Sequence, residues 1–278
     1  MADRRHRARP PHRPRIFTTA RATVSLLLAL AARTAAEEPS CTTPMRIAVI
    51  GATGGVGAHA ARLAVEAGHT VIALARDGSK VAAKGAEKKD FDLKTKDVDA
   101  LAAAIKGSDL VLSCIGNRRG EDAIVESGTA TIMAAMAKSG VPRMAMISSI
   151  GVGDSRLQLL RLGFGGWIFA AIFATLLKKT KNDLNAAEAI AIGGPAGVVY
   201  GAATPHARPD GVSVVVVRPA GLSNAPSEGK YDVALVDGTV GASVSREDVA
   251  AFMVTLATEK KYDNGAVSVG GNAPRTGH

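Results

Sequence analysis

Between Arg46 and Gly68 the chain reads RIAVIGATGGVGAHAARLAVEAG, and the glycines at its centre are the residues best spaced to do chemistry. They follow a short β-branched run and open an apolar-periodic stretch, the setting that separates a phosphate-binding loop from an ordinary turn. Gly51 suits the sharp turn after a strand, Gly54 the approach of backbone to a pyrophosphate, and Gly57 the close packing of helix on strand. Thr53, Gly55 and Val56 complete the loop. Phosphates held there would meet free N–H groups and the positive end of a helix dipole. The spacing is GxxGxxG, not the GxGxxG of the standard dinucleotide fingerprint.

Such a loop predicts a nicotinamide dinucleotide, and the end of the next strand selects which one. An acid there takes a ribose 2′-hydroxyl, whereas an arginine accommodates a 2′-phosphate. Arg76 follows the run TVIALA directly, and Asp77 comes one position later, where it starts the next helix. Arg76 can pair bidentately with a phosphate and Lys80 can add a point charge, so NADP is preferred to NAD. Asp92 and Leu93, after a short third strand, are placed to touch the adenine. Cys114, Ile115 and Gly116 end the fourth strand, and Ser148 and Ser149 end the fifth. In open α/β sheets, ligands bind outside these carboxyl ends.

The elements that must position these residues alternate in the manner of parallel βαβ units, which predicts one α/β domain with a doubly wound parallel sheet from Met45 onward. Strands are expected at 46–50, 70–75, 88–93, 109–115, 143–149, 212–218 and 266–270. Helices are expected at about 56–67, 97–106, 122–139, 157–192 and 246–258. Ser245 caps the last, with Asp248 in the capping-box position. Residues 190–211, rich in Gly, Ala and Pro, are expected to form a loop insertion. The sixteen uncharged residues 162–177 fall short of the roughly 20 that a bilayer span needs. They read as a buried or substrate-capping helix, or as a face for peripheral membrane or complex contact.

Residues 1–44 hold eight Arg against Asp3, Glu37 and Glu38, leaving +4 of the chain's +9 charge for the rest. Arg-rich, poor in acids and dotted with Thr and Ser, this segment reads as a targeting peptide for an organelle, plastid first and mitochondrion second. Its apolar run Val24–Ala32 keeps a secretory route open. Cys41 lies in that segment and Cys114 at a strand end, so no disulfide framework is expected. Metal-spaced His/Cys clusters, GxxxxGK[ST] and GxSxG are absent from the sequence. With 4% aromatics and no basic stripe, nucleic acid is not an expected partner; a small-molecule substrate is.

GATGGVG, ALAR, SCIG, ISSIGV, the pairing of NDLNAAEAI with VVVVRPAGL, and SREDVAAFMVTLA together resemble the atypical branch of the short-chain dehydrogenase/reductase superfamily. These are the NmrA-like NAD(P)-binding proteins, which include biliverdin/flavin reductases. The resemblance runs from about Met45 to Gly271. It implies a Rossmann domain with nicotinamide in its switch-point crevice and a small C-terminal substrate lobe. Standard members of the superfamily use a Tyr-xxx-Lys pair for proton transfer. Here the residues four after the three tyrosines are Thr204, Leu235 and Ala266, so the pair does not exist. Ser149 matches the serine with which standard members bind a substrate carbonyl, and it is the catalytic candidate. The expected activity is hydride transfer to a small carbonyl, quinone, flavin or tetrapyrrole acceptor, with a non-catalytic redox sensor or assembly factor as the alternative.

Overall fold

The computed structural model describes residues 43–117, 122–162, 164–193 and 208–271. The expected targeting segment up to residue 42, and 194–207 of the expected insertion, lie outside the described residues. The elements described below belong to the second of two units, Pro44–His278.

Short, mostly apolar runs give the parallel strands β1 (Arg46–Ile50), β2 (Thr70–Ala75), β4 (Leu110–Ser113), β5 (Arg143–Ile147) and β6 (Ser213–Pro219), each buried on both faces. β3 (Glu87–Asp90) is charged and mostly exposed, as suits an edge strand. It ends three residues before the run 88–93 predicts, because Asp92 bends away to cap a turn at Leu93–Thr95. Three short strands escape any periodicity: β7 (Gly221–Ser223), β8 (Asp232–Ala234) and β9 (Ser243–Ser245). With β10 (Gly265–Gly270) the main sheet has the order β3-β2-β1-β4-β5-β6-β10-β8, a Rossmann-like arrangement in which only β8 runs antiparallel. β7 and β9 form a separate parallel pair.

Helices cover both faces. α1 (Gly55–Glu66) packs beside the late helix Arg246–Thr255 on one side. On the other side α2 (Val98–Ile105) lies against α3 (Val125–Ser139), and α3 against the helix Lys178–Ile192. Apolar side chains from alternate positions along the strands separate into two cores, Ile47, Val49 and Leu112 facing α1 and Ala48, Ile50 and Val111 facing α3.

The single helix expected over 157–192 is three: α4 (Arg156–Leu160), α5 (Phe164–Ala174) and α6 (Lys178–Ile192). Gln158, fully buried, is held by the carbonyls of Leu235 and Gly238 and by Ser268, while Phe173 packs into the core beside α3. A straight helix could not satisfy both. At the second break the Thr175 hydroxyl donates to the Ala171 carbonyl and competes with the helical ladder. α6 in turn runs three residues into the expected insertion, because Ile190 and Ala191 are buried in the core. The final helix, α7 (Arg246–Thr255), starts at Ser245 as expected, and the Ser245 hydroxyl accepts from the Asp248 N–H at 2.9 Å. Asp248, a methylene shorter than Glu, returns to the Ser245 hydroxyl and not to its backbone N–H.

Candidate functional site

The turn from β1 into α1 depends on two glycines. Gly51 adopts φ +84°, and a Cβ on it would lie 2.8 Å from the Cys114 carbonyl oxygen of the next strand. A Cβ on Gly57 would lie 2.2 Å from the Gly51 carbonyl oxygen, so helix and loop could not approach as they do. The result is a tight turn whose backbone leads straight into the start of α1.

This turn is one wall of a cleft of about 130 Å³ at the carboxyl edge of the sheet. Gly51, Thr53, Gly54, Arg76, Asp92, Leu93, Cys114, Ile115 and Gly116 all line it, joined by Phe91, Lys94, Asp122 and Ile124, which the sequence did not single out. Gly55, Val56 and Gly57 form the first turn of α1 behind it, with Val56 and Gly57 buried. Ser148 and Ser149 are not part of that lining. They stand at the end of β5, the strand next to β4.

At the end of β2 the two charged residues part company. Arg76 is exposed and lines the cleft, while Asp77 accepts from the Ser79 N–H at 3.1 Å and from its hydroxyl at 2.5 Å. Those bonds, followed by the Lys80 ammonium at 2.9 Å, hold the Asp77 carboxyl below its ordinary value. Lys80 is therefore tied to Asp77 and does not line the cleft. Asp90 accepts from the Gly78 N–H at 2.6 Å and fixes this loop against β3.

Two features have no signal in the sequence. The Arg246 side chain crosses Gly55 at the start of α1, its Cδ 2.6 Å from where a Cβ would stand, and its guanidinium donates to Asn224 at 2.6 Å. The polar residues of α6, where a phenol would otherwise be expected, are bonded inward. Asp183 accepts from Asn117 at 2.7 Å and from the Val125 and Glu126 N–H groups at 3.0 and 2.9 Å, capping α3 with an anion. Asn185 accepts from the Gly153 N–H at 2.9 Å. Glu188, fully buried, takes Arg218 through both carboxylate oxygens at 3.0 and 2.7 Å, and Asp154 meets the same guanidinium. Burial works against the Arg218 charge, but the two carboxylates outweigh it and hold the group above its ordinary value.

The remaining candidates for acid–base work are modest. Ser149 is half-buried and donates to the Ile150 carbonyl at 3.2 Å. The Ser148 hydroxyl is buried without a hydrogen-bond partner. Burial pushes the Cys114 thiol up to about 12, so it stays protonated. His69 is lowered by burial and its Nδ1 accepts from the Met45 N–H, a structural bond. His206 lies outside the described residues. Among the described residues no group of His, Cys, Asp and Glu is placed to hold a metal.

The family model described as NAD(P)H-binding matches residues 51–260. Solved structures share the fold. The oxidoreductase ylbE of Lactococcus lactis aligns over 82% of this chain and 91% of its own, at 20% identity and a TM-score of 0.64. ChuY, an anaerobilin reductase of Escherichia coli O157:H7, aligns over 84% and 100% at 22% identity and 0.60. A putative epimerase of Bacteroides thetaiotaomicron aligns over 84% and 100% at 20% identity and 0.63. Uncharacterized proteins of Mycobacterium tuberculosis and Mycobacterium bovis are 34% identical over 105 residues, 38% of this chain, and the match spans 12% of their length. The glycine turn fits the dinucleotide that the family binds, since Gly51 and Gly54 line the cleft and Gly57 lets α1 start directly against the turn. The chain belongs to the NAD(P)H-binding family.

Proposed function

We propose that the protein is an NADP(H)-dependent reductase of a small carbonyl or ring acceptor, of the quinone, flavin or tetrapyrrole kind. The observation that carries the choice of cofactor is the division of labour after β2, where Arg76 lines the cleft and Asp77 is committed to Ser79 and Lys80. An acid engaged in its own turn is a poor partner for a ribose hydroxyl, and an arginine on the rim favours a 2′-phosphate.

When bound, the nicotinamide supplies the hydride chemistry. Gly51 and Gly54 bring bare backbone to the diphosphate, and the first turn of α1 offers its unpaired N–H groups. Arg246, across Gly55, adds a positive charge at the same end of the helix. The Ser149 hydroxyl holds only a long bond to the neighbouring carbonyl, which it can exchange for an acceptor oxygen. Asp183, Asn185 and Glu188 are bonded to other parts of the chain, so proton delivery is assigned to water. The likeness to an anaerobilin reductase makes tetrapyrroles the first acceptors to try. Residues 1–44 are proposed to direct the protein to an organelle, a plastid in the first instance, which a fluorescent fusion of that segment tests.

The purified chain mixed with NADPH and a panel of bilins, quinones and flavins should consume the nicotinamide absorbance with at least one class. Tight NADPH binding with no turnover across the panel would overturn the reductase reading in favour of a redox sensor or assembly factor.

A further inference from the structure

Between β5 and β6 the chain carries a surface that cofactor binding does not use. Of nine large apolar side chains exposed among the described residues, six lie there: Leu157, Trp167, Ile168, Ile172, Leu176 and Leu177. Trp167 is 62% exposed and Leu176 82%, values that water alone does not favour for side chains of this size. α5 presents three of the six and the turn after it two more.

The charges carried by this stretch itself all have one sign. From residue 155 to 182 the sequence has five basic residues, Arg156, Arg161, Lys178, Lys179 and Lys181, and no acid. Of the acids that bracket the stretch, Asp154 is paired with Arg218 although its side chain stays exposed, and Asp183 is buried beneath α3. Arg156 and Arg161 stand exposed before α5, and Lys178 and Lys179 stand exposed after it. No described helix is long and apolar enough to cross a membrane. An outward tryptophan on a short apolar helix, with cations at both ends, suits the headgroup level of a lipid interface.

We propose that this face docks on an anionic membrane surface, its apolar side chains entering the headgroup boundary while the flanking cations meet lipid phosphates. Two other occupants are disfavoured by charge. A second copy on this face would set five cations against five. The chain's own first 44 residues carry eight Arg and three acids, so they too are repelled. The inference does not depend on which nicotinamide binds or on turnover.

Trp167 is the chain's one tryptophan, so its emission reports this face and no other. The full chain is mixed with phosphatidylcholine vesicles with and without phosphatidylglycerol, some bearing brominated acyl chains. The anionic vesicles should shift Trp167 emission to the blue and the bromines should quench it, with phosphatidylcholine alone giving neither. The double variant Lys178→Glu/Lys179→Glu, both exposed, should weaken the anionic-vesicle response by about tenfold or more, with thermal unfolding unchanged. An emission that does not respond to anionic vesicles would overturn the proposal. So would vesicle binding without quenching, which would assign attachment to the Arg-rich segment, or a blue shift that follows protein concentration without lipid, which would assign self-association.

Discussion

At the glycine loop the backbone lies open to the cleft, with Gly51, Gly54 and Thr53 lining it. On α6, by contrast, Asp183, Asn185 and Glu188 are closed into bonds with α3, Gly153 and Arg218. Both regions stand at the carboxyl edge of one sheet, and each fixes neighbouring parts of the chain. The first does so by omitting side chains, which leaves room for a ligand. The second does so with charged and amide groups whose donors and acceptors are already matched, which leaves a rigid wall and little to exchange with a substrate. Binding and positioning are therefore separated in this fold, and the separation gives α6 a use for its polar residues that requires no part in proton transfer.

That contrast can be broken from the α6 side first. Glu188→Ala would strand the buried Arg218 with Asp154 alone, and the expected loss is about 3–5 kcal/mol in denaturant unfolding. NADPH affinity of the folded fraction should change little, because neither residue lines the cleft. On the open side, Gly57→Ala places a methyl against the Gly51 carbonyl. It should cost about 1–3 kcal/mol of stability. It should also lower NADPH affinity by about tenfold or more, measured by titration calorimetry. Asp183→Ala removes the cap of α3 and is expected to cost about 0.5–2 kcal/mol, again with cofactor affinity nearly kept.

Two smaller effects sharpen the comparison. Burial pushes the Asp248 carboxyl up, but hydrogen bonds from Ser227, Ser245 and the Gly229 N–H outweigh it and hold the group below its ordinary value. Its folded pKa lies below the unfolded one of about 3.9, so its stabilisation is complete above that pH and is lost as pH falls through the folded value. Asp248→Asn should flatten that acid limb in thermal unfolding scans. Ser148→Ala deletes a buried hydroxyl with no partner and should leave stability within about 0.5 kcal/mol. A larger loss would show that this hydroxyl is bonded in solution.

The sheet and the glycine turn were legible because their signals are local. β1, β2, β5 and β6 are continuous apolar runs, and Gly51 and Gly57 sit beside the strand and helix that require them. Asp77 as a turn-starter was equally local, since Ser79 and Lys80 follow within three residues. What the chain hides is long-range. Asp183 acts on Val125 and Glu126, and Glu188 acts on Arg218, which lies 30 residues away on another element. Gln158 breaks the expected long helix through partners near 235–238 and at Ser268. Arg246 reaches Gly55 from the far end of the sequence. No spacing rule connects such pairs, and only the assembled sheet brings them together.

We propose that Arg76, on the rim of the crevice, reads a 2′-phosphate. Titration of the wild-type chain and of Arg76→Asp with NADPH and NADH tests it most directly. A charge-assisted bond of about 1.5–3 kcal/mol predicts that the substitution weakens NADPH by roughly 10- to 100-fold and leaves NADH nearly unchanged. Equal weakening of both dinucleotides, or a wild type that already prefers NADH, would contradict it.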